Sequence, residues 1–187
     1  MLGKKYIVGI SGGSCSGKST MATMLANSLG ERFKIKLFHL DDYYQWDKMK
    51  TIAPITGIEY TEHNHPDGVN MDALYKDFMA AIDDTSNDII LVEGLFALYF
   101  AQLRKEYDLK IFIDLKSDER LYRRIKRNMV HSPMEEIAVR YLDTVRYRYD
   151  EFVEPTRWHA DLVVNGTLDA NQGAGIAAMY IEAQVQG

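Results

Sequence analysis

The chain has 187 residues, 47% of them hydrophobic and 26% charged, which is enough apolar material for one compact domain without staples and too little length for a second full one. No stretch approaches the roughly eighteen consecutive apolar residues of a membrane span, and a formal net charge of −5 opposes nucleic-acid binding, which draws on a surplus of Lys and Arg. Cys15 is the only cysteine, which excludes an intrachain disulfide and a cysteine-based metal framework; no export signal is visible in the opening residues, and the expected compartment is the cytoplasm.

Short β-branched runs alternate with longer segments of helical period, the pattern of βα units around a parallel sheet. A buried strand is predicted over 6–10 and a helix over 19–29, with Met21, Met24, Leu25 and Leu29 on one face and Gly30 as its stop. A second strand over 34–40 leads into an irregular polar stretch over 41–70, carrying Pro54, Gly57, Pro66 and Gly68; a loop of that length is expected to carry function. A helix over 71–82 precedes a third strand over 88–93 that ends on Glu93 and is broken by Gly94. A short helix over 98–105 and a fourth strand over 109–113 follow. Ser117 is the predicted N-cap of a helix reaching about residue 129, with Asp118 and Glu119 favourably placed in its first turn. Pro133 interrupts the chain before a helix over 134–152, a last strand over 160–164 and a closing helix over 175–185.

The residues Gly12-Gly13-Ser14-Cys15-Ser16-Gly17-Lys18-Ser19 fit G-x-x-x-x-G-K-[ST] and fall between a predicted strand and a predicted helix, the context the motif's mechanism requires. Glycines let main-chain N–H groups wrap a phosphate, and the positive end of the following helix adds attraction. Lys18 is expected at the β and γ phosphates and the Ser19 hydroxyl on magnesium. Thr20 reads as a first-turn residue within reach of the α-phosphate, and Cys15 as a small filler, although a helix N-terminus can lower a thiol pKa. The loop therefore predicts Mg-ATP as the bound nucleotide and an α/β P-loop NTPase fold: three layers, with a five-stranded parallel sheet between helices.

Ligands of an open parallel sheet gather beyond the carboxyl ends of its strands, where Asp41 and Glu93 are predicted to stand. Asp41 is the expected general base toward an attacking hydroxyl and a contributor to the metal shell, with Asp42 as its rival; Glu93 is the expected metal acid. His39, late in a strand, reads as a buried structural residue. Tyr43, Tyr44 and Trp46 either line an acceptor pocket or pack beneath the long loop. Arg120, Arg123, Arg124, Lys126 and Arg127 read as a lid facing phosphate, with a solvated face as the alternative; Arg140, Arg146 and Arg148 are expected to face solvent or pair with nearby acids.

Taken in order, the P-loop, Leu40-Asp41-Asp42-Tyr43-Tyr44, His65-Pro66-Asp67, Val92-Glu93-Gly94-Leu95, Phe112-Ile113-Asp114, the arginines of 120–127, Tyr149-Asp150-Glu151-Phe152-Val153-Glu154-Pro155-Thr156 and Ala160-Asp161-Leu162-Val163-Val164 resemble the uridine kinase and phosphoribulokinase family over nearly the whole chain. The resemblance implies a kinase that transfers the γ-phosphoryl of Mg-ATP to a hydroxyl of a small molecule, with the 5'-hydroxyl of a nucleoside as first expectation. It makes Asp41 the catalytic aspartate, Tyr44 an aromatic beside the acceptor, Glu93 a metal-shell acid, and Arg124 and Arg127 residues of a helical lid over about 120–135. Asp161 is expected near the nucleotide edge, and a homo-oligomer fits the family's habit.

Three departures bear on the acceptor. The segment 71–88 has no room for the base-gripping hairpin of family members that take uridine or cytidine. Asn64-His65-Pro66 stands where they have Asp-His-Pro, leaving Asn64 and His65 as candidates to hold a diol by hydrogen bonds alone. Val130-His131-Ser132-Pro133 replaces an arginine-bearing lid segment, so lid charge falls to Arg123, Arg124 and Arg127. The simpler pocket resembles nicotinamide riboside kinases, the nearest alternative. A GTP-dependent switch and a silent nucleotide-binding module are the remaining readings: Leu115-Lys116-Ser117-Asp118 lacks the expected guanine reader, and Lys18, Ser19, Asp41 and Glu93 together oppose silence.

Overall fold

The computed structural model describes residues 5–46, 48–167 and 169–186. Along the chain run β1 (Tyr6–Gly12), α1 (Lys18–Gly30), β2 (Ile35–His39), β3 (Lys50–Ile52), β4 (Glu59–Thr61), α2 (Met71–Asp83), β5 (Ile89–Glu93), α3 (Ala101–Arg104), β6 (Leu109–Asp114), α4 (Ser117–Asn128), α5 (Met134–Arg140), α6 (Arg146–Arg148), β7 (Leu162–Asn165) and α7 (Ala170–Gln186). Among the described residues five strands form one parallel sheet in the order β2-β5-β1-β6-β7. The sequence reading of a helix-flanked five-stranded parallel sheet therefore holds.

The order follows from burial. β5 is buried at every position and β1 from Ile7 onward, as continuous apolar runs dictate for the centre of a parallel sheet covered on both faces. The edge strands β2 and β7 alternate or thin out. One face packs Phe38, Leu74, Phe78, Ile90, Val92, Phe96 and Phe112; the other packs Val8, Ile10, Leu25, Leu91, Ile111, Ala177 and Ile181 beneath α1 and α7. These two cores make the three layers. They also fix the carboxyl ends of β2, β5 and β1 side by side, since Ile10 pairs with Glu93 and His39 pairs with Glu93.

Four local expectations need correction. Ser117 is the first residue of α4 and does not cap it: the chain arrives from β6 with Lys116 extended, so Lys116 takes the boundary position and no side chain caps the helix. The closing helix begins at Ala170, before both Gly173 and Gly175. Gly173 does not break it, because a Cβ there would stand 2.7 Å from Val164 Cγ1; glycine is what lets α7 lie against β7. The helix predicted over 134–152 is interrupted by two π-turns, Tyr141–Val145 and Tyr149–Val153. The stretch over 41–70 is not irregular throughout, since β3 and β4 pair as an antiparallel hairpin.

Polar contacts from outside hold that hairpin. The hydroxyls of Thr56 and Tyr60 donate to the same oxygen of buried Asp143 at 2.9 and 2.8 Å. Arg148 donates to buried Glu62 at 2.8 Å and to Thr51 Oγ1 at 3.1 Å. Each buried acceptor has its donors, as burial requires. Replacing Asp143 with Ala leaves two hydroxyls without their acceptor; amides of 50–61 are expected to lose protection in hydrogen exchange, with a loss of about 1–3 kcal/mol in denaturant unfolding. Unchanged protection of the hairpin contradicts this account of what holds it.

Candidate active site

The central strand β1 delivers the phosphate-binding loop, and α1 begins directly after it. Gly12 takes φ 152° and Gly17 φ 107°, and a Cβ on Gly12 would stand 2.7 Å from both Ile113 O and Ser16 Oγ; the turn is closed to any other residue. Cys15 also takes a positive φ of 64°, an unfavourable conformation for a residue with a Cβ. The loop is drawn tight by Ser16 N–H donating to Gly13 O at 3.0 Å, and no side chain caps the start of α1. First-turn N–H groups are thus left for a ligand at the positive end of the helix. Ser19 and Thr20 are exposed at that end. Lys18 is buried, and no hydrogen bond or ion pair of its ammonium is present among the described residues.

Glu93 closes β5 at the level of Ile10 and is buried. One of its oxygens lies 2.7 Å from His39 Nδ1, so a ring N–H donates to it; the other oxygen is buried without a partner. His39 is therefore not the buried structural residue expected, since its side chain is 39% exposed and turned onto the strand-end acid. The next residue, Leu40, packs over Gly94, where a Cβ would stand 2.5 Å from Leu40 Cβ. That contact brings the 3₁₀ turn Leu40–Tyr43 alongside the end of β5 and puts exposed Asp41 at the mouth of the same crevice; its neighbour Asp42 is exposed as well.

From the lid side, α4 contributes four arginines along one stripe with different engagements. Arg123 donates to Gly166 O at 2.8 Å, while Arg127 is exposed and donates to Asn128 Oδ1. Arg120 and Arg124 turn inward. Arg120 is 2% exposed and donates to Leu115 O. Its guanidinium lies 3.6 Å from the centre of the Tyr149 ring and against Gly13, where a Cβ would stand 2.7 Å from Arg120 Nη1. Arg124 donates to Ser14 Oγ at 3.2 Å; burial, together with repulsion from Arg127 and Arg140, pulls its pKa below the usual arginine value. Arg120 was read only as one of the lid charges. The four-residue spacing of Arg120 and Arg124 on a helix with few apolar residues was the available signal, because a helix that must bury one face has to bury them.

Several predicted acceptor residues are engaged elsewhere. The Tyr43 hydroxyl donates to Asp77 Oδ2 at 2.9 Å in the groove between β2 and α2, and burial with that bond pushes its pKa to about 12. Tyr44 is buried beneath the long loop, its hydroxyl donating to His65 O and accepting from His65 N–H. Trp46 stacks on Tyr44 at 4.7 Å. His65 accepts from Asp67 N–H and sets its ring against Phe152; Asn64 N–H donates to Glu62. Asp161 precedes β7 and bonds Lys110 N–H and Nζ, so it stands at the amino end of the sheet, opposite the crevice. Beside the phosphate loop there is instead a cleft of about 270 Å³ lined by Thr20, Met21, Arg123, Val164, Asn165 and Gly166, which sequence reading missed because no motif marks it.

The donor and acceptor groups left over around the loop suit a magnesium–nucleotide complex. Buried atoms without partners include Ser16 Oγ, Arg120 Nη1 and Arg124 Nε, which can donate to phosphate, and Glu93 Oε2, which can accept a cation. Among the described residues no three His, Cys, Asp or Glu converge as a metal site; magnesium needs no such cage, being held by one or two protein oxygens together with substrate phosphates.

A glycine loop between the central strand and a helix, a buried lysine and a strand-end acid define a P-loop phosphate-binding protein. The profile of the Phosphoribulokinase / Uridine kinase family matches residues 79–171. A uridine kinase of Lactobacillus helveticus is 31% identical, with 87% of each chain covered, and one of Staphylococcus aureus is 31% identical over 84% of this chain and 86% of its own. The chain belongs to the phosphoribulokinase and uridine kinase family. In fold it is similar to the structure of a possible uridine kinase from Bacillus stearothermophilus, with a TM-score of 0.52 at 19% identity over 86% of this chain and 89% of that one.

Replacing Gly13 with Ala drives a methyl group into Arg120, which Tyr149 and Leu115 O hold in place. Stability is expected to fall by about 1–3 kcal/mol, as for other overpacked sites, and binding of a fluorescent ATP analogue by at least about tenfold. Wild-type values in thermal unfolding and titration contradict this packing of the loop.

Proposed function

We propose that this chain is a kinase that transfers the γ-phosphoryl group of ATP to a hydroxyl of a small molecule of the riboside class, with the 5'-hydroxyl of a nucleoside as the leading acceptor. The observation that carries the reading is the convergence of buried Lys18, buried Glu93 and inward-turned Arg124 on one glycine loop, each with hydrogen-bonding capacity that the protein does not use. The relatives' name, uridine kinase, supports the choice of acceptor class.

Phosphoryl transfer asks a protein mainly to position groups and to neutralise charge. Main-chain N–H groups between Gly13 and Ser19, other than that of Ser16, which is bonded to Gly13 O, and the Lys18 ammonium hold the phosphates, and Arg124, tied to Ser14, faces them from the lid. Glu93 and Ser19, with Asp41 nearby, are the residues that would hold magnesium, which would supply neutralisation of phosphate charge. Asp41 accepts the proton of the attacking hydroxyl at the mouth of the crevice. The cleft beside Thr20, Arg123 and Gly166 suits the nucleoside end of ATP. Arg127, exposed in this structure, serves only once the lid has closed over the phosphates.

A second reading, a nicotinamide riboside kinase-like acceptor, is favoured by the short connection from α2, which ends at Asp83, to β5, which starts at Ile89. That connection holds no base-gripping hairpin.

ADP release coupled to a panel of nucleosides, ribosides and sugars, with mass detection of products, tests the proposal; background ADP formation with every acceptor contradicts it. Replacing Asp41 with Asn is expected to lower kcat by at least about 100-fold, within the range of general-base contributions, while ATP affinity stays within about twofold. Unchanged turnover removes Asp41 from the role. Replacing Glu93 with Gln is expected to weaken ATP binding about tenfold in magnesium and to leave binding in EDTA unchanged. Equal weakening in both media assigns Glu93 to structure instead.

A further inference from the structure

Between α4 and α5 lies a groove of about 190 Å³ lined by Arg124, Asn128, His131, Ser132, Glu136, Ile137 and Arg140. Its two arginines are anchored to different segments of the chain. Arg124 donates to Ser14 of the phosphate loop. Arg140 donates to Thr61 O at 2.8 Å and lies 3.3 Å from His63 Nδ1, both on the segment that leaves the β3–β4 hairpin. Arg140 therefore does not point out to solvent as its sequence context suggested, and among the described residues it pairs with no carboxylate.

Two guanidinium groups that face one small groove repel each other, and the pull on the Arg124 pKa has Arg140 among its causes. Arg127 adds a third cation nearby, and Glu136, which is exposed, is the acid of the groove. Such an arrangement costs stability unless an anion enters. Donor phosphate can satisfy Arg124 from the loop side. It does not account for Arg140, whose tethers, Thr61 and His63, belong to the segment that leads into Asn64 and His65, the candidates to hold the acceptor's diol. The volume, below the roughly 300–1,000 Å³ of pockets that enclose a whole ligand, suits one charged substituent and its water, and guanidinium groups pair best with planar or tetrahedral oxyanions.

We propose that the groove receives a carboxylate, or another oxyanion, carried by the base of the acceptor, so that the preferred substrate is an anionic riboside. The inference rests on the kinase reading for its acceptor but turns on Arg140, which is not among the side chains that hold ATP.

Matched pairs differing only in charge test it: uridine against orotidine, and nicotinamide riboside against nicotinic acid riboside. For at least one pair, kcat/KM is expected to be about tenfold or more higher for the carboxylate. Arg140→Gln should lower the anionic value about 10- to 100-fold, the worth of one charge-assisted hydrogen bond, with the neutral value and the KM for ATP held within about twofold. Arg140→Lys, which keeps the charge, should retain part of the preference, and equal melting temperatures of wild type and variants exclude a folding effect. A neutral partner that is turned over as well as its carboxylate in both pairs overturns the proposal, as does an Arg140→Gln variant that lowers both values equally. Should no member be phosphorylated, calorimetry with the chain loaded with a non-hydrolysable ATP analogue separates the two claims. Tighter binding of a carboxylate, lost in Arg140→Gln, sustains the groove and rejects the kinase reading; equal binding, or none, rejects the groove.

Discussion

The structure is organised around one electrostatic constraint: Lys18, only 8% exposed as a residue, brings its ammonium to the start of a helix where no carboxylate among the described residues meets it. A cation at the edge of a protein interior is best accommodated by a compensating anion or strong hydrogen bonds. The uncapped first turn of α1 adds positive potential at the same place. Neither strand-end acid ion-pairs with it: Glu93 is bonded to His39, and Asp41 stands exposed on its own turn. The loop is thus built to be completed by a polyanion, and the tight φ angles at Gly12 and Gly17 are the backbone cost of pointing N–H groups inward.

The sheet supplies the distances that this chemistry needs. Because β2, β5 and β1 pair in parallel with their ends in register, His39, Glu93 and the phosphate loop fall at one level without any long-range adjustment. Leu40 on Gly94 then sets where the chain may turn with Asp41. On the other flank, the π-turns around Tyr141 and Tyr149 bring two aromatic rings to Arg120, and Arg120 in turn supports Gly13. π-Turns recur at functional sites because each adds one residue that re-aims the side chains after it. Here they let one helical segment face the phosphate loop with Tyr149 and the hairpin with Asp143.

How much of this was legible in the sequence depended on whether a feature announces itself locally. The alternation of strands and helices, the phosphate loop and the strand-end acids are carried by contiguous residues, and the parallel sheet followed from them. The β3–β4 hairpin was not legible, because its partners, Asp143 and Arg148, lie more than eighty residues away and its own residues lack a clean apolar alternation; Ile52, Ile55 and Ile58 all stay exposed. Tyr43 and Tyr44 looked alike as adjacent aromatics, yet each hydroxyl found a separate partner, Asp77 and the His65 backbone. Asp161 failed for a topological reason: a residue just before a parallel strand stands at the end of the sheet that carries no ligand. Arg140 gained its meaning only from the hairpin that holds it.

The most direct check on the central claim is to follow backbone amide resonances of the isotopically labelled chain while Mg-ATP is added. The account predicts that the amides of 13–19 shift together and saturably, because they hold the phosphates. Saturable binding that moves resonances elsewhere and leaves those amides in place contradicts it.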